Sequence, residues 1–110
     1  MLGDDRAAEL VLESIPVIDG AVELAGDGIL PGGTQRNIEA MADRVRAEGI
    51  DDDRLAVLFD AQTSGGLLMA VAPDAAPDVL DRLKRLDEPT TAARIGRVVA
   101  GSGTISVLPR

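Results

Sequence analysis

Asp60-Ala61-Gln62-Thr63-Ser64-Gly65-Gly66-Leu67-Leu68-Met69-Ala70-Val71-Ala72 passes from a polar turn of small residues straight into an unbroken apolar run. Continuous apolarity over that length, closed by Pro73, predicts a strand buried on both faces and therefore central in its sheet. Upstream, Asp51-Asp52-Asp53 precedes Leu55, Leu58 and Phe59, a pattern for a short helix whose first-turn carboxylates meet the positive end of its dipole. Downstream, Pro73 and Asp74 open a second helix. Its apolar face is Ala76, Val79, Leu80, Leu83 and Leu86, with Asp78, Asp81, Arg82 and Lys84 toward solvent. Pro77 falls in its first turn, where a missing amide costs nothing.

Farther from that centre, Arg6 to Ile15 alternates Ala8, Leu10 and Leu12 against Glu9, Val11 and Glu13, as a half-buried strand does, and Pro16 ends it. Val17 to Gly26 reads as a short helix with Val22 and Ala25 inward. Leu30-Pro31-Gly32-Gly33-Thr34 reads as a turn in which Thr34 caps the next helix. That helix is expected from about Gln35 to Ala47, because Ile38, Met41, Ala42 and Val45 fall at helical spacing, and Gly49 terminates it. After Glu88-Pro89, strands are expected over Ala93 to Ala100 and Thr104 to Leu108, joined by Gly101-Ser102-Gly103 as a tight hairpin. The order strand, helices, strand, helix, hairpin predicts an α+β fold: a mixed sheet of about four strands covered by helices, in one domain spanning residues 1–110.

Composition narrows the chemistry. The chain has 110 residues and neither Cys nor His, which removes thiol nucleophiles, Ser/His/Asp triads, imidazole bases and ordinary zinc sites. Eleven basic residues against 19 acidic ones give a net charge of −8, and Phe59 is the only aromatic side chain. A nucleic-acid partner is therefore not expected, since both phosphate attraction and base stacking are lacking. No apolar stretch is long enough for a membrane span, and Met1-Leu2-Gly3-Asp4-Asp5 is unlike a signal peptide, so the expected location is cytoplasmic.

Two turns are candidates for ligand contact. Gly32, Gly33 and Thr34 precede a helix whose free amides suit an anion, with Arg36 to add charge and Asn37 beside it; Arg36 and Asn37 equally suit ordering the loop through backbone carbonyls. The alternative is a glycine turn with an ordinary cap. Thr63, Ser64, Gly65 and Gly66 offer hydroxyls and open amides at the mouth of the expected strand, with Gln62 in the same turn; the alternative is a tight loop that only permits close packing. Asp60 adjoins this turn and is read as bracing it, although its carboxylate also suits a metal held by another domain. The Asp51 to Asp53 run reads as a solvated cap, because adjacent helical carboxylates diverge. Neither a catalytic residue nor a metal site is assigned to this chain.

Together, Ile15-Pro16, Leu30-Pro31-Gly32-Gly33-Thr34-Gln35-Arg36-Asn37, Asp60 to Leu68 and Ile95-Gly96-Arg97-Val98-Val99 resemble the carboxyl-terminal domain of the selenophosphate synthetases, also called selenide, water dikinases. The resemblance covers nearly the whole chain, in order. It implies the carboxyl-terminal fold of the aminoimidazole ribonucleotide synthetase superfamily, packed beside an ATP-binding amino-terminal domain. The activity it implies is formation of selenophosphate, AMP and phosphate from selenide, ATP and water, with magnesium. The family's reactive Cys or selenocysteine, its partner Lys and its magnesium-binding aspartates lie in the amino-terminal domain and find no positions here. What carries over is the PGGTxRN block, onto Pro31 to Thr34, Arg36 and Asn37, and the DPQTSGG block, onto Asp60 and Gln62 to Gly66. Ala61 replaces the usual Pro of the second block, and Asp19 stands where a Pro often precedes Gly20. Met1-Leu2 resembles the end of a helix that precedes this segment in full-length members.

The resemblance thus implies a cleft-forming, domain-packing unit that is inactive alone. ATP and magnesium belong to the parent enzyme, no cofactor is held by this chain alone, and the partners are the missing ATP-binding domain and, alternatively, a second copy in a homodimer. The rival readings are a free-standing interaction or scaffold module and a small anion-binding domain.

Overall fold

The structure, a computed structural model, describes residues 3–86 and 91–110. Met1-Leu2 and Glu88-Pro89, both used above, lie outside the described residues. Strand β1 spans Arg6–Val11. A 3-10 turn over Leu12–Ser14 follows at once, so the strand is shorter than the alternation to Ile15 suggested; Leu12, only 5% exposed, turns inward there. Helix α1 covers Ala21–Gly26 and α2 covers Gly32–Met41. Strand β2 is the pair Val45–Arg46, α3 spans Asp52–Leu58 and α4 spans Ala76–Lys84. Strands β3, Gly96–Ala100, and β4, Ile105–Leu108, complete the molecule.

The sheet is mixed, in the order β2-β4-β1-β3. The expected α+β class with a mixed four-stranded sheet holds, while two of its expected details do not. β3 and β4 do not pair as a hairpin. Instead they flank β1, β3 antiparallel to it and β4 parallel to it. The Gly101-Ser102-Gly103 link bridges over the start of β1, donating from the Gly101 amide to the Asp5 carbonyl at 3.2 Å and from the Gly103 amide to the Arg6 carbonyl at 2.7 Å. Glycine is needed here: a Cβ on Gly101 would collide with Ala7, and Gly103 sits at φ +78°. Gly96 is equally constrained, since its Cβ would strike the Glu9 carbonyl.

The second correction concerns the run Leu67 to Ala72, which is not a strand. Leu67 is 84% exposed, and Leu68, Met69 and Val71 are exposed as well. The fourth strand is β2, taken from what helical spacing assigned to the end of α2. Past Met41 a turn carries the Arg44 amide onto the Met41 carbonyl. Val45 and Arg46 then pair in parallel with Ile105 and Ser106, so backbone bonds along β4 outweigh one more helical turn. The expected terminator, Gly49, therefore lies beyond the helix, in the turn leading to α3, at φ +74°.

Register sorts the sheet faces. Ala8, Leu10, Val98, Ile105, Val107 and Val45 share one apolar face, on which Val107 is 4% exposed. The other carries Glu9 and Arg97, joined across β1 and β3 at 2.6 Å. Helices α1 and α3 pack on each other, burying Ala25 and Ala56. In α4 the expected Pro77 position and apolar stripe are present, but Ala76, Val79, Leu80 and Leu83 are only half-buried and Leu86 is exposed.

The buried core is small, and it shows in the outline. A compact monomer of this mass exposes about 5,800 Å²; this chain exposes 8143 Å². Its radius of gyration, 14.8 Å, exceeds the roughly 13 Å typical of this length. Among the described residues no helix is long and apolar enough to cross a membrane.

Candidate functional site

The two candidate turns, 29 positions apart at Gly33 and Gln62, are brought to one place. Asn37, one turn into α2, donates from Nδ2 to the Phe59 carbonyl at the end of α3, at 2.9 Å. That bond fastens α2 to the start of the second turn. Ahead of it, Gly33 lies so close to Ala61 that a Cβ on Gly33 would come within 2.6 Å of the alanine Cβ. A glycine is what this approach requires. Ala61, noted above only as a departure from the usual Pro, is therefore the residue that covers the head of α2. Neither Phe59 nor Ala61 was singled out as a site residue, and the missing side chain at Gly33 was the available clue.

Thr34 does not cap α2. Pro31 occupies the N-cap position, with no side-chain cap bond, and the Thr34 amide reaches the Pro31 carbonyl at 3.0 Å. The chain enters the helix through Pro31, fixed near φ −58°, which places Thr34 in the first turn instead of ahead of it. Its side chain is fully buried and Oγ1 has no hydrogen-bond partner. A buried hydroxyl in that state is destabilising by about 1–3 kcal/mol relative to one that is bonded.

Arg36 is exposed, and its Nη2 lies 3.8 Å from where a Gly33 Cβ would stand. The guanidinium thus borders the junction and remains open to solvent. In the second turn, Gln62 Oε1 comes within 3.2 Å of the Cβ position of Gly65, closing the loop on itself. Thr63, Ser64 and Gly66 are exposed, and among the described residues no side-chain hydrogen bond ties them to α2. Asp60 is half-buried, its amide bonded to the Val57 carbonyl at 3.2 Å. The structure therefore joins Gly33, Arg36, Asn37, Asp60 and Ala61, and leaves Thr63, Ser64 and Gly66 on an outer rim.

Two shallow depressions lie elsewhere, one against Glu9, Arg94 and Arg97 on the sheet and one against Pro16, Val17, Ile18, Asp19 and Thr91. None of the candidate residues lines them. Among the described residues no group of three or more acidic side chains converges as a metal site would require. Among the described residues Asp60 has no such group of carboxylates around it. The junction itself presents backbone, the Asn37 amide, the Arg36 guanidinium and the Asp60 carboxylate, with the Thr63 and Ser64 hydroxyls on its rim.

Comparison with known proteins identifies the family. Residues 7–108 match the family model described as AIR synthase related protein, C-terminal domain. A selenide, water dikinase from Carboxydothermus hydrogenoformans is 36% identical over 109 residues, which cover 97% of this chain and 31% of that protein. One from Agathobacter rectalis is 44% identical over 100 residues, 90% of this chain and 29% of the relative. One from Citrifermentans bemidjiense is 41% identical over 103 residues, 94% and 29% respectively. The chain spans about 30% of the length of these relatives. Because the family model takes in the sheet from the second residue of β1 onward and both candidate turns, the chain belongs to the AIR synthase related proteins, as their carboxyl-terminal domain.

Proposed function

We propose that this chain is the carboxyl-terminal domain of a selenophosphate synthetase, forming a wall of the active-site cleft and packing on an ATP-binding domain that it does not itself contain. The observation that carries this reading is the match to selenide, water dikinases over 97% of this chain but 31% of the relative. The joined turns supply a physical role: Gly32, Gly33, Arg36, Asn37 and Asp60, with Gln62 to Gly66 at the rim, make one surface of small residues and polar groups. Such a surface lets a polyphosphate approach closely without itself providing a nucleophile or a metal cage. The nucleotide, magnesium and the group that handles selenide come from the other domain. The excess of exposed surface supports the packing role, since a domain whose partner is absent leaves that interface open.

The test is AMP release from ATP, magnesium and selenide. The purified chain alone is expected to give no AMP above a protein-free control, and mixing it with a separately expressed amino-terminal domain of a relative is expected to restore release. Robust AMP formation by the chain alone overturns the inactivity, and no restoration in a mixture shown to associate overturns the cleft role.

A further inference from the structure

We propose that the depression over β1, between β3 and β4, is a binding site for a small monocarboxylate with an apolar body. Its lining is Glu9 and Val11 from β1, Gly96 and Arg97 from β3, Leu108 from β4, and Arg94, which precedes β3. Pairing in register assembles it: Glu9 stands opposite Arg97, Leu10 opposite Gly96 and Val11 beside Leu108. None of the lining residues belongs to the junction of α2 with the second turn, so the site stands apart from the function proposed above and needs no catalytic readout.

Charge sets the ligand's valence. Two guanidiniums and one carboxylate line the depression, which leaves one positive charge uncompensated in a chain of net charge −8. Arg97 donates from Nε to Glu9 Oε2 at 2.6 Å. An exposed ion pair of this kind contributes little to stability. It does hold the Arg97 guanidinium in place, and the other N–H groups of that side chain, without partners among the described residues, suit the forked contact that arginine makes with a carboxylate. Arg94 supplies the uncompensated charge. A monoanion balances it, whereas a second negative charge would meet Glu9 and the acidic remainder of the chain without a partner.

Size and walls set the ligand's body. The depression holds about 270 Å³, the share of roughly nine waters at about 30 Å³ each, and is smaller than the pockets of about 300–1,000 Å³ that take drug-sized ligands. A nucleotide exceeds that space; an acid of roughly five carbons does not. Val11 and Leu108, neighbours across β1 and β4, give it an apolar wall. Gly96 adds no side chain to fill it and is held to glycine by the Glu9 carbonyl. Inorganic phosphate would satisfy the arginines but leave the apolar wall facing water, which separates the two kinds of anion.

The test is a titration of the isotope-labelled 110-residue chain with pentanoate, succinate and inorganic phosphate at low ionic strength. NMR follows the Gly96 amide, the Val11 and Leu108 methyls and the arginine Nε–Hε groups. Pentanoate is expected to shift these signals saturably with a Kd of about 1 mM, at least about tenfold tighter than succinate or phosphate. Arg94→Gln, at an exposed position, is expected to weaken pentanoate binding at least about tenfold. Glu9→Gln removes the competing negative charge and is expected to narrow the preference over succinate. Retained amide spectra show that the variants fold; should Glu9→Gln fail to fold, Arg94→Gln decides alone. Absence of a saturable shift at about 20 mM pentanoate, far above the expected Kd, overturns the proposal, as do shifts confined to Gly33 and Arg36. So does binding that Arg94→Gln leaves unchanged, a preference that a folded Glu9→Gln variant leaves unchanged, or phosphate or succinate binding as tightly as pentanoate.

Discussion

Strand β1 and the run Leu67 to Ala72 are each six residues long, and the less apolar of the two is the strand. β1 reads Arg-Ala-Ala-Glu-Leu-Val and has neighbours on both sides, β3 and β4. The run reads Leu-Leu-Met-Ala-Val-Ala and has none among the described residues. Apolarity sets how much a segment gains from burial, but a strand also needs a backbone partner in register, because unpaired amides and carbonyls cannot be buried cheaply. β1 obtains its partners from a link that bridges its own first residues; the run lies between a polar turn and a helix, and neither carries it to an edge.

The sharpest way to break this contrast is to add one methyl group to each region. Gly96→Ala drives a Cβ into the Glu9 carbonyl, a backbone atom that can retreat only by opening the β1–β3 pairing. A loss of about 3 kcal/mol is expected, at the upper end for overpacking. Gly66→Ala meets nothing within 4 Å and is expected to be neutral or to stabilise by up to about 1 kcal/mol through reduced freedom of the unfolded chain. Urea unfolding of both variants is the measurement. Equal effects would mean that the turn beside the run is packed as tightly as the sheet.

A smaller effect of opposite sign is expected where α2 meets the second turn. Thr34 Oγ1 is buried without a partner, so Thr34→Val removes an unpaired hydroxyl at nearly constant volume and should stabilise by about 1 kcal/mol. Thermal unfolding gives the answer. Destabilisation of similar size would show that the hydroxyl is hydrogen-bonded in solution.

These contrasts also show what local sequence patterns specify. The positions of β1, α3, α4, β3 and β4 were legible because each rests on its own periodicity or punctuation, such as Asp51 to Asp53 before α3 and Pro77 in the first turn of α4. Gly101-Ser102-Gly103 was legible as a reversal but not as a bridge over β1: the same residues serve a hairpin and a link around a third strand, and only the collision at Ala7 separates them. Val45-Arg46 fitted the apolar spacing of α2, and two residues are too few to show an alternation of their own. In the site, the two turns were visible as glycine-rich blocks. Their junction was not, because Asn37 to Phe59 and Gly33 to Ala61 are long-range contacts that no local pattern encodes.

The smallest effect is expected at the most apolar exposed position. Leu67→Ser removes a large side chain that is 84% exposed, and it should change stability by no more than about 0.5 kcal/mol, as surface substitutions generally do. A buried leucine truncated in the same way loses about 2–5 kcal/mol, so the two outcomes are well separated. If Leu67→Ser costs 2 kcal/mol or more, the run is part of the core and apolarity alone was sufficient to place it.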